Sequence, residues 1–140
     1  MSRSGYDVID DQWAMICYRG AVASAIRGKR GQALLRDLLG ALDAMPDKKL
    51  IANDFVRSDG GCCALGVLGL ARGIDPDDLH SLDDDPAVVA KAFGISTALA
   101  AEIEYENDEG GPCRGSHGTE TTEHRWTRMR AWVASKITME

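Results

Sequence analysis

The chain has 140 residues, with 44% hydrophobic side chains and a formal net charge of −6. This length suits one domain with a hydrophobic core, and the composition excludes a wholly disordered chain. No apolar run reaches the roughly 20 residues that a membrane-spanning helix requires, and the N-terminus lacks the pattern of a secretory signal, so we expect a cytoplasmic protein with no membrane partner.

The hydrophobic periodicity predicts a mainly α-helical fold. We expect a single compact domain of five to six helices over residues 10–140, preceded by a flexible N-terminus over residues 1–9. The first predicted helix covers residues 10–27 and carries a stripe at helical spacing. The stripe consists of Trp13, Ile16, Cys17, Gly20, Ala21 and Ser24. Apolar residues elsewhere around this helix predict that it is buried on more than one side.

The second predicted helix covers residues 32–45, and Pro46 ends it. Its leucines share one stripe, and the short turn at residues 28–31 predicts an antiparallel hairpin with the first helix. Residues 49–57 favour a short strand or hairpin, with an irregular link as the alternative.

A third helix is predicted over residues 62–72. Ser58 or Asp59 would cap its N-terminus, and Gly73 would end it. Gly66, inside the helix, lowers helix propensity and leaves room for a neighbouring backbone to approach.

Two further helices are predicted around Gly94. Asp85 caps the first of them, which ends at Phe93, and Ser96 caps the second, which runs to about Tyr105. A small residue four positions before Gly94 and apolar residues beside it are typical of a helix-turn-helix corner. The second of these helices carries three Glu and no Lys or Arg, so direct DNA binding through it is not expected, although a helix-turn-helix regulator remains an alternative.

The last predicted helix covers residues 120–137, after a loop at residues 107–118. Trp126, Met129, Val133 and Ile137 form its apolar stripe, which should pack on the leucines of the second helix or on a second copy of the chain. Trp126→Ala should therefore destabilise the protein by about 3 kcal/mol or more, and Arg128→Ala by less than about 0.5 kcal/mol.

The charged residues are distributed unevenly along the chain. Residues 61–112 contain 2 basic and 11 acidic residues, a net charge of −9. Such a segment is suited to meet a basic surface or to imitate the charge of nucleic acid. The candidate partner-binding residues are Asp77, Asp78, Asp83, Asp84, Glu102, Glu104, Glu106, Asp108 and Glu109.

Basic residues near the first turn and in the last helix would form a positive patch if they meet in space. They are Arg27, Lys29, Arg30, Arg36, Arg125, Arg128 and Arg130. A surface with both patches would suit self-association or docking on another protein, while ordinary solubility is the simpler interpretation.

The cysteines support two alternatives to a binding protein. Cys63 in a first helical turn would gain acidity from the helix N-terminus and act as a nucleophile, with His117 as base and Asp108 as orienting carboxylate. A buried, unreactive Cys63 is the simpler interpretation, so we assign no catalytic residue and no cofactor.

The second alternative is a structural zinc site. Its ligands would be Cys63, Cys113, His117 and His124, which supply the sulfur and imidazole groups that zinc prefers. The set lacks the two closely spaced cysteine pairs that are typical of a strong zinc motif, so we assign no metal.

The stretch from Cys63 to Gly66, the later Asn107-Asp108 and the motif from Arg125 to Val133 resemble a group of small helical proteins encoded by phages and prophages. These proteins share a Cys-x-Leu-Gly stretch and a later Asn-Asp. The resemblance supplies no catalytic residue. It implies a phage accessory protein in the bacterial cytoplasm that inhibits a host protein or nucleoprotein complex, as anti-CRISPR and other anti-defence proteins do, and it leaves a homodimer open.

Overall fold

The computed structural model describes residues 12–82, 85–110 and 120–138. These ranges contain seven helices: α1 (Gln12–Arg27), α2 (Lys29–Asp43), α3 (Ala64–Ala71), α4 (Pro76–His80), α5 (Pro86–Phe93), α6 (Thr97–Glu109) and α7 (Thr122–Lys136). The predicted mainly helical, single-domain fold is confirmed, with one helix more than expected because α4 forms where the sequence suggested only a turn. The predicted flexible N-terminus, residues 1–9, lies outside the described residues.

Side-chain oxygens cap the beginnings of four helices. The side chains of Asp75, Asp85, Ser96 and Thr121 accept backbone N–H groups at the starts of α4, α5, α6 and α7. Each cap satisfies a donor that the helix itself leaves unpaired. The predicted caps Asp85 and Ser96 are confirmed, as is the end of α5 at Gly94, which adopts φ 70°.

The core lies between α2, α3, α5, α6 and α7. The α2 leucines Leu34, Leu35, Leu38 and Leu42 are completely or almost completely buried. The predicted packing of α7 on this stripe is confirmed, because Met129 and Val133 are fully buried in the same cluster and the indole Nε1 of Trp126 donates to the carbonyl oxygen of Leu42 at 3.1 Å.

The expected burial of the first helix on more than one side is wrong. Val22 is the only buried residue of α1, while Trp13 is 70% and Ile16 is 55% exposed. The helix packs on α2 and α6 through the side that carries Val22 and Ile26. The stripe that periodicity identified therefore faces outward, because the opposite side of α1 contacts the core.

The segment before α3 forms no strand within the described residues. Its only pairing is an isolated antiparallel bridge between Val56 and Cys62, and Asn53 adopts φ 71°, which no regular strand accommodates. The alternative prediction of an irregular link is therefore the correct one. The predicted caps of α3 are wrong, since Cys63 caps the helix and the Asp59 carboxylate accepts the N–H of Gly61 at 2.9 Å.

Helix α6 extends to Glu109, four residues beyond the predicted end at Tyr105. The residues 107–109 that were expected to begin a loop are helical, and the remainder of that loop, residues 111–118, lies outside the described residues.

No single helix in the described ranges is long and apolar enough to cross a membrane. Helices α5 and α6 meet a length and composition criterion only as a pair, and a bend of 105° separates them. This bend is the corner that the sequence predicted at Gly94.

Candidate functional site

The two motifs that the sequence analysis singled out meet in the structure through Asn107. Its side-chain Oδ1 accepts the backbone N–H of Ala64 at 3.1 Å, and its Nδ2 donates to the carbonyl oxygen of Ile51 at 2.9 Å and to Asp108 Oδ1 at 2.8 Å. Asn107 is 1% exposed. One buried amide thus joins α6, the first turn of α3 and the irregular link between α2 and α3.

Cys63 has a structural position at the start of α3. It is 1% exposed, its sulfur accepts the N–H of Gly66 at 3.4 Å, and its own N–H donates to the carbonyl oxygen of Phe55 at 3.2 Å. A Cβ at Gly66 would overlap with the same carbonyl, so the glycine permits the close approach of backbone that the sequence anticipated. The Cys-x-Leu-Gly stretch therefore builds a tight helix–link contact.

Cys62 is the cysteine that borders a cleft. The cleft has a volume of about 360 Å³ and is lined also by Lys49, Asp59 and Thr122. Burial, the neighbouring Cys63 and the charge of Asp59 raise the pKa of the Cys62 thiol. A raised pKa disfavours the thiolate, which is the reactive form, so this arrangement gives no activated nucleophile.

The other members of the hypothetical triad are placed as follows. Asp108 Oδ1 accepts the backbone N–H of Asn53 at 3.0 Å and the amide of Asn107, so this carboxylate supports the link. His117 lies outside the described residues. The catalytic alternative thus rests on a buried sulfur and a carboxylate with structural hydrogen bonds.

The zinc alternative gains no support from the described ligands. Cys113 and His117 lie outside the described residues, Cys63 is buried, and the imidazole of exposed His124 contacts the Glu120 carboxylate. The described ranges contain no group of three His, Cys, Asp or Glu side chains that could hold a metal ion.

The predicted positive patch does not include the arginines of α7, because each of them bonds to a group of the same chain. Arg128 Nε and Nη2 donate to the two Glu120 oxygens at 2.8 and 2.9 Å. Arg125, which is 8% exposed, donates to the carbonyl oxygens of Asn107 and Leu50. Arg130 pairs with Asp43.

What remains of the positive patch lies around the α1–α2 turn. Arg27, Lys29 and Arg30 are exposed there, and exposed Arg36 donates to the carbonyl oxygen of Thr138 at 2.9 Å. The patch that was expected to combine both regions is therefore confined to one.

The carboxylate of Glu120 is the centre of the α7 arginine cluster. It is 5% exposed, and its pKa is lowered to about 2, chiefly by the hydrogen bonds from Arg128. Arg128 also donates to the carbonyl oxygens of Glu106 and Asn107. Two arginines thereby satisfy the C-terminal carbonyls of α6, where a positive charge is favoured by the helix dipole.

The acidic candidates divide into two groups. Glu102 and Glu104 are buried, at 5% and 1% exposure, and so cannot belong to an acidic surface. Glu106 is half-buried, and its pKa is raised by burial and by Glu102. Glu109 is also half-buried.

Periodicity alone could not place these glutamates inside, because α6 has core neighbours on several sides. Helix α6 contacts α1, α3, α5 and α7, and seven of its thirteen residues are buried.

The second group forms what we name the acidic segment, residues 75–85. Asp77 and Asp78 on α4 are exposed, as are the capping residues Asp75 and Asp85. Asp83 and Asp84 lie outside the described residues. Of the acidic surface that the sequence predicted over residues 75–109, Glu102 and Glu104 are buried, Glu106, Asp108 and Glu109 are half-buried, and Asp77 and Asp78 are exposed.

The sequence did not identify the outer face of α1 as a surface; we define this face by Trp13, Ile16, Cys17, Gly20, Ala21 and Ser24. The signal was present as the stripe itself, but its interpretation as a core face was wrong.

Comparisons with protein-family models, with curated proteins and with solved structures found no match.

Proposed function

We propose that this protein is a small binding module that docks on a host protein or nucleoprotein complex and inhibits it, in the manner of phage anti-defence proteins such as anti-CRISPRs. The acidic segment would supply the contact. The phage origin rests on the resemblance of the motifs, while the binding role rests on the placement of the charges.

The observation that carries the proposal is the exposure of the acidic segment. It has six aspartates among its eleven residues, and the four that the structure describes are all exposed. None of the ion pairs among the described residues involves Asp75, Asp77, Asp78 or Asp85. Their charge is directed to the solvent, where it would attract a basic surface and accelerate the encounter with it.

The placement of Cys63 also favours binding over catalysis. Its sulfur is buried and occupied as a helix cap, and Asn107-Asp108 stabilises the same contact. The Cys-x-Leu-Gly stretch and Asn107-Asp108 therefore have structural roles, which favours a function carried out by the surface.

Affinity capture tests the proposal. The tagged protein would be incubated with a bacterial lysate over a salt series, the captured proteins identified by mass spectrometry, and the activity of the identified complex measured with and without the protein. We expect a partner with a basic surface, loss of capture as salt rises toward about 1 M, and inhibition of the partner.

A pair of matched variants separates the acidic segment from net charge. Asp77→Asn with Asp78→Asn should weaken capture strongly. Asp47→Asn with Asp54→Asn changes the net charge equally at two other exposed positions and should leave capture nearly unchanged. Equal effects of the two pairs, or capture that persists unchanged at about 1 M salt, would refute a contact through the acidic segment.

A further inference from the structure

The hairpin of α1 and α2 carries only positive charge over most of its length. Residues 12–36 contain five basic residues and no acidic one. The basic residues are Arg19, Arg27, Lys29, Arg30 and Arg36. This stretch forms α1, the turn after it and the first half of α2, so its cations lie on one helical hairpin.

Three of these cations come together at the turn. Arg27 is the last residue of α1, Lys29 and Arg30 are the first two residues of α2, and all three are exposed. We call these three residues the basic turn. None of the ion pairs among the described residues involves them, and the next carboxylate along the chain, Asp37, pairs with Arg72 instead. The charge of the basic turn is therefore directed to the solvent.

Close packing holds the backbone of the basic turn. A Cβ at Gly31 would overlap with the carbonyl group of Ala25, so glycine permits the close approach of the two helices there. The N–H of Gly28 donates to the carbonyl oxygen of Ser24 at 3.1 Å. The cations thus extend from a fixed backbone, which lowers the entropy cost of ordering them on a ligand.

Two clefts beside the basic turn have room for anionic groups. The first has a volume of about 250 Å³, and Lys29, Arg30 and Ser96 contribute its polar side chains. The Ser96 oxygen accepts the N–H of Leu99 at 3.2 Å, so its hydroxyl can still donate its own hydrogen. This cleft therefore combines two cations with a neutral hydrogen-bond donor.

The second cleft has a volume of about 350 Å³ and extends the positive surface along α1. Its charged side chains are those of Arg19 and Arg27 on α1, Lys136 on α7 and Glu102 on α6. Glu102 is buried, whereas both arginines are exposed. Three cations against one carboxylate leave an excess of positive charge.

We propose that the basic turn binds the phosphate backbone of nucleic acid, with phosphate groups seated in the two clefts. Lys, Arg and Ser side chains are common donors to phosphate oxygens. Exposed cations add little to the affinity for a folded protein, because exposed ion pairs are weak and a stable interface needs an apolar centre. They are sufficient for a phosphate backbone, because each neutralised phosphate releases condensed counterions. This surface uses none of the residues of the acidic segment, so the inference does not depend on the proposed function.

Fluorescence anisotropy of a labelled DNA duplex of mixed sequence tests the proposal. With a duplex of about 20 base pairs and about 20 mM salt, we expect saturable binding with a Kd of roughly 10–100 μM. The logarithm of the binding constant should fall with the logarithm of the salt concentration at a slope of about −3, as three phosphate contacts require. No binding at protein concentrations up to about 1 mM would overturn the proposal.

A pair of matched variants locates the contact. Lys29→Gln with Arg30→Gln should weaken binding by about tenfold or more and make the salt slope shallower by about 2. Lys91→Gln with Arg57→Gln removes one lysine and one arginine from two other exposed positions, and should leave the Kd within about twofold of the parent. Equal losses in the two variants would refute a contact through the basic turn.

Competition distinguishes nucleic acid from an acidic protein surface. Duplex DNA carries about one charge per 1.7 Å, whereas an extended poly-glutamate chain carries about one per 3.4 Å. Unlabelled duplex should therefore displace the labelled duplex at a much lower concentration of charges than poly-glutamate does. Equal displacement by the two polymers would show that the basic turn recognises acidic polymers in general, which would overturn the assignment to nucleic acid.

Discussion

Asn107 connects three parts of the chain that are distant in sequence. Its amide bonds to the N–H of Ala64 and to the carbonyl oxygen of Ile51. The Asn107 side chain that makes both bonds is buried. A buried polar group that loses its hydrogen bond costs about 1–3 kcal/mol. Asn107, the first residue of the Asn-Asp motif, is thus a structural support.

Asn107→Ala should lower the free energy of unfolding by about 3 kcal/mol, because it leaves the Ala64 N–H and the Ile51 carbonyl without their hydrogen bonds. Urea denaturation measures this change. Gln12→Ala, which removes an exposed amide at the start of α1, should change stability by less than about 0.5 kcal/mol. Similar values for the two variants would contradict the structural role of Asn107.

At the scale of elements, α7 is fixed by two different kinds of contact. Met129 and Val133 pack on α2, whereas Arg125 and Arg128 bind the C-terminal end of α6. The irregular link is held from the same side, since the N–H of Leu50 donates to the carbonyl oxygen of Thr122 at 3.0 Å. Helix α7 therefore joins α2, α6 and the link.

These contacts agree with the stability change that the sequence predicts for Trp126→Ala and disagree with the one that it predicts for Arg128→Ala. Trp126→Ala should still cost about 3 kcal/mol, because it removes an indole that packs on the core and bonds to Leu42. Arg128→Ala, expected from sequence to be nearly neutral, should cost about 2–3 kcal/mol, because its hydrogen bonds to Glu120 and to the α6 carbonyls are only slightly exposed.

Arg30→Ala is the control for the arginine, since Arg30 is exposed, and should change stability by no more than about 0.5 kcal/mol. Urea denaturation compares the three variants. If Arg128→Ala is as neutral as Arg30→Ala, the arginine cluster adds nothing to the attachment of α7.

For the whole molecule, the lowered pKa of Glu120 predicts a dependence of stability on pH. Its pKa is about 2 in the folded protein against an ordinary value of 4.5. Because the folded state binds the proton less tightly than the unfolded state, the carboxylate stabilises the fold above pH 4.5. That contribution, about 3 kcal/mol, should be lost as the pH falls from 4.5 toward 2.

Glu120→Gln isolates this contribution. Glu106 has a raised pKa and acts in the opposite direction, so the pH profile of the parent alone is a sum of effects. The variant should be less stable than the parent at neutral pH, and the difference should shrink below pH 4.5. Parallel unfolding profiles of the two proteins across this range would rule out the assigned role.

The sequence by itself determined six of the seven described helices and several of their ends. Asp85, Ser96 and Gly94 act through their immediate neighbours, so their roles follow from local chemistry. The leucine stripe of α2 and the apolar stripe of α7 were also recognisable, since each buries one well-defined face.

Only the tertiary structure decided which side of α1 is buried and which charges are exposed. Periodicity shows that residues share a face, but not what the face meets, so the α1 stripe was assigned to the core although Trp13 and Ile16 face outward. Glu102, Glu104 and Arg125 are buried because their neighbours come from distant parts of the chain. The roles of Cys63 and Asn107 depend on the same long-range contacts, which no local pattern records.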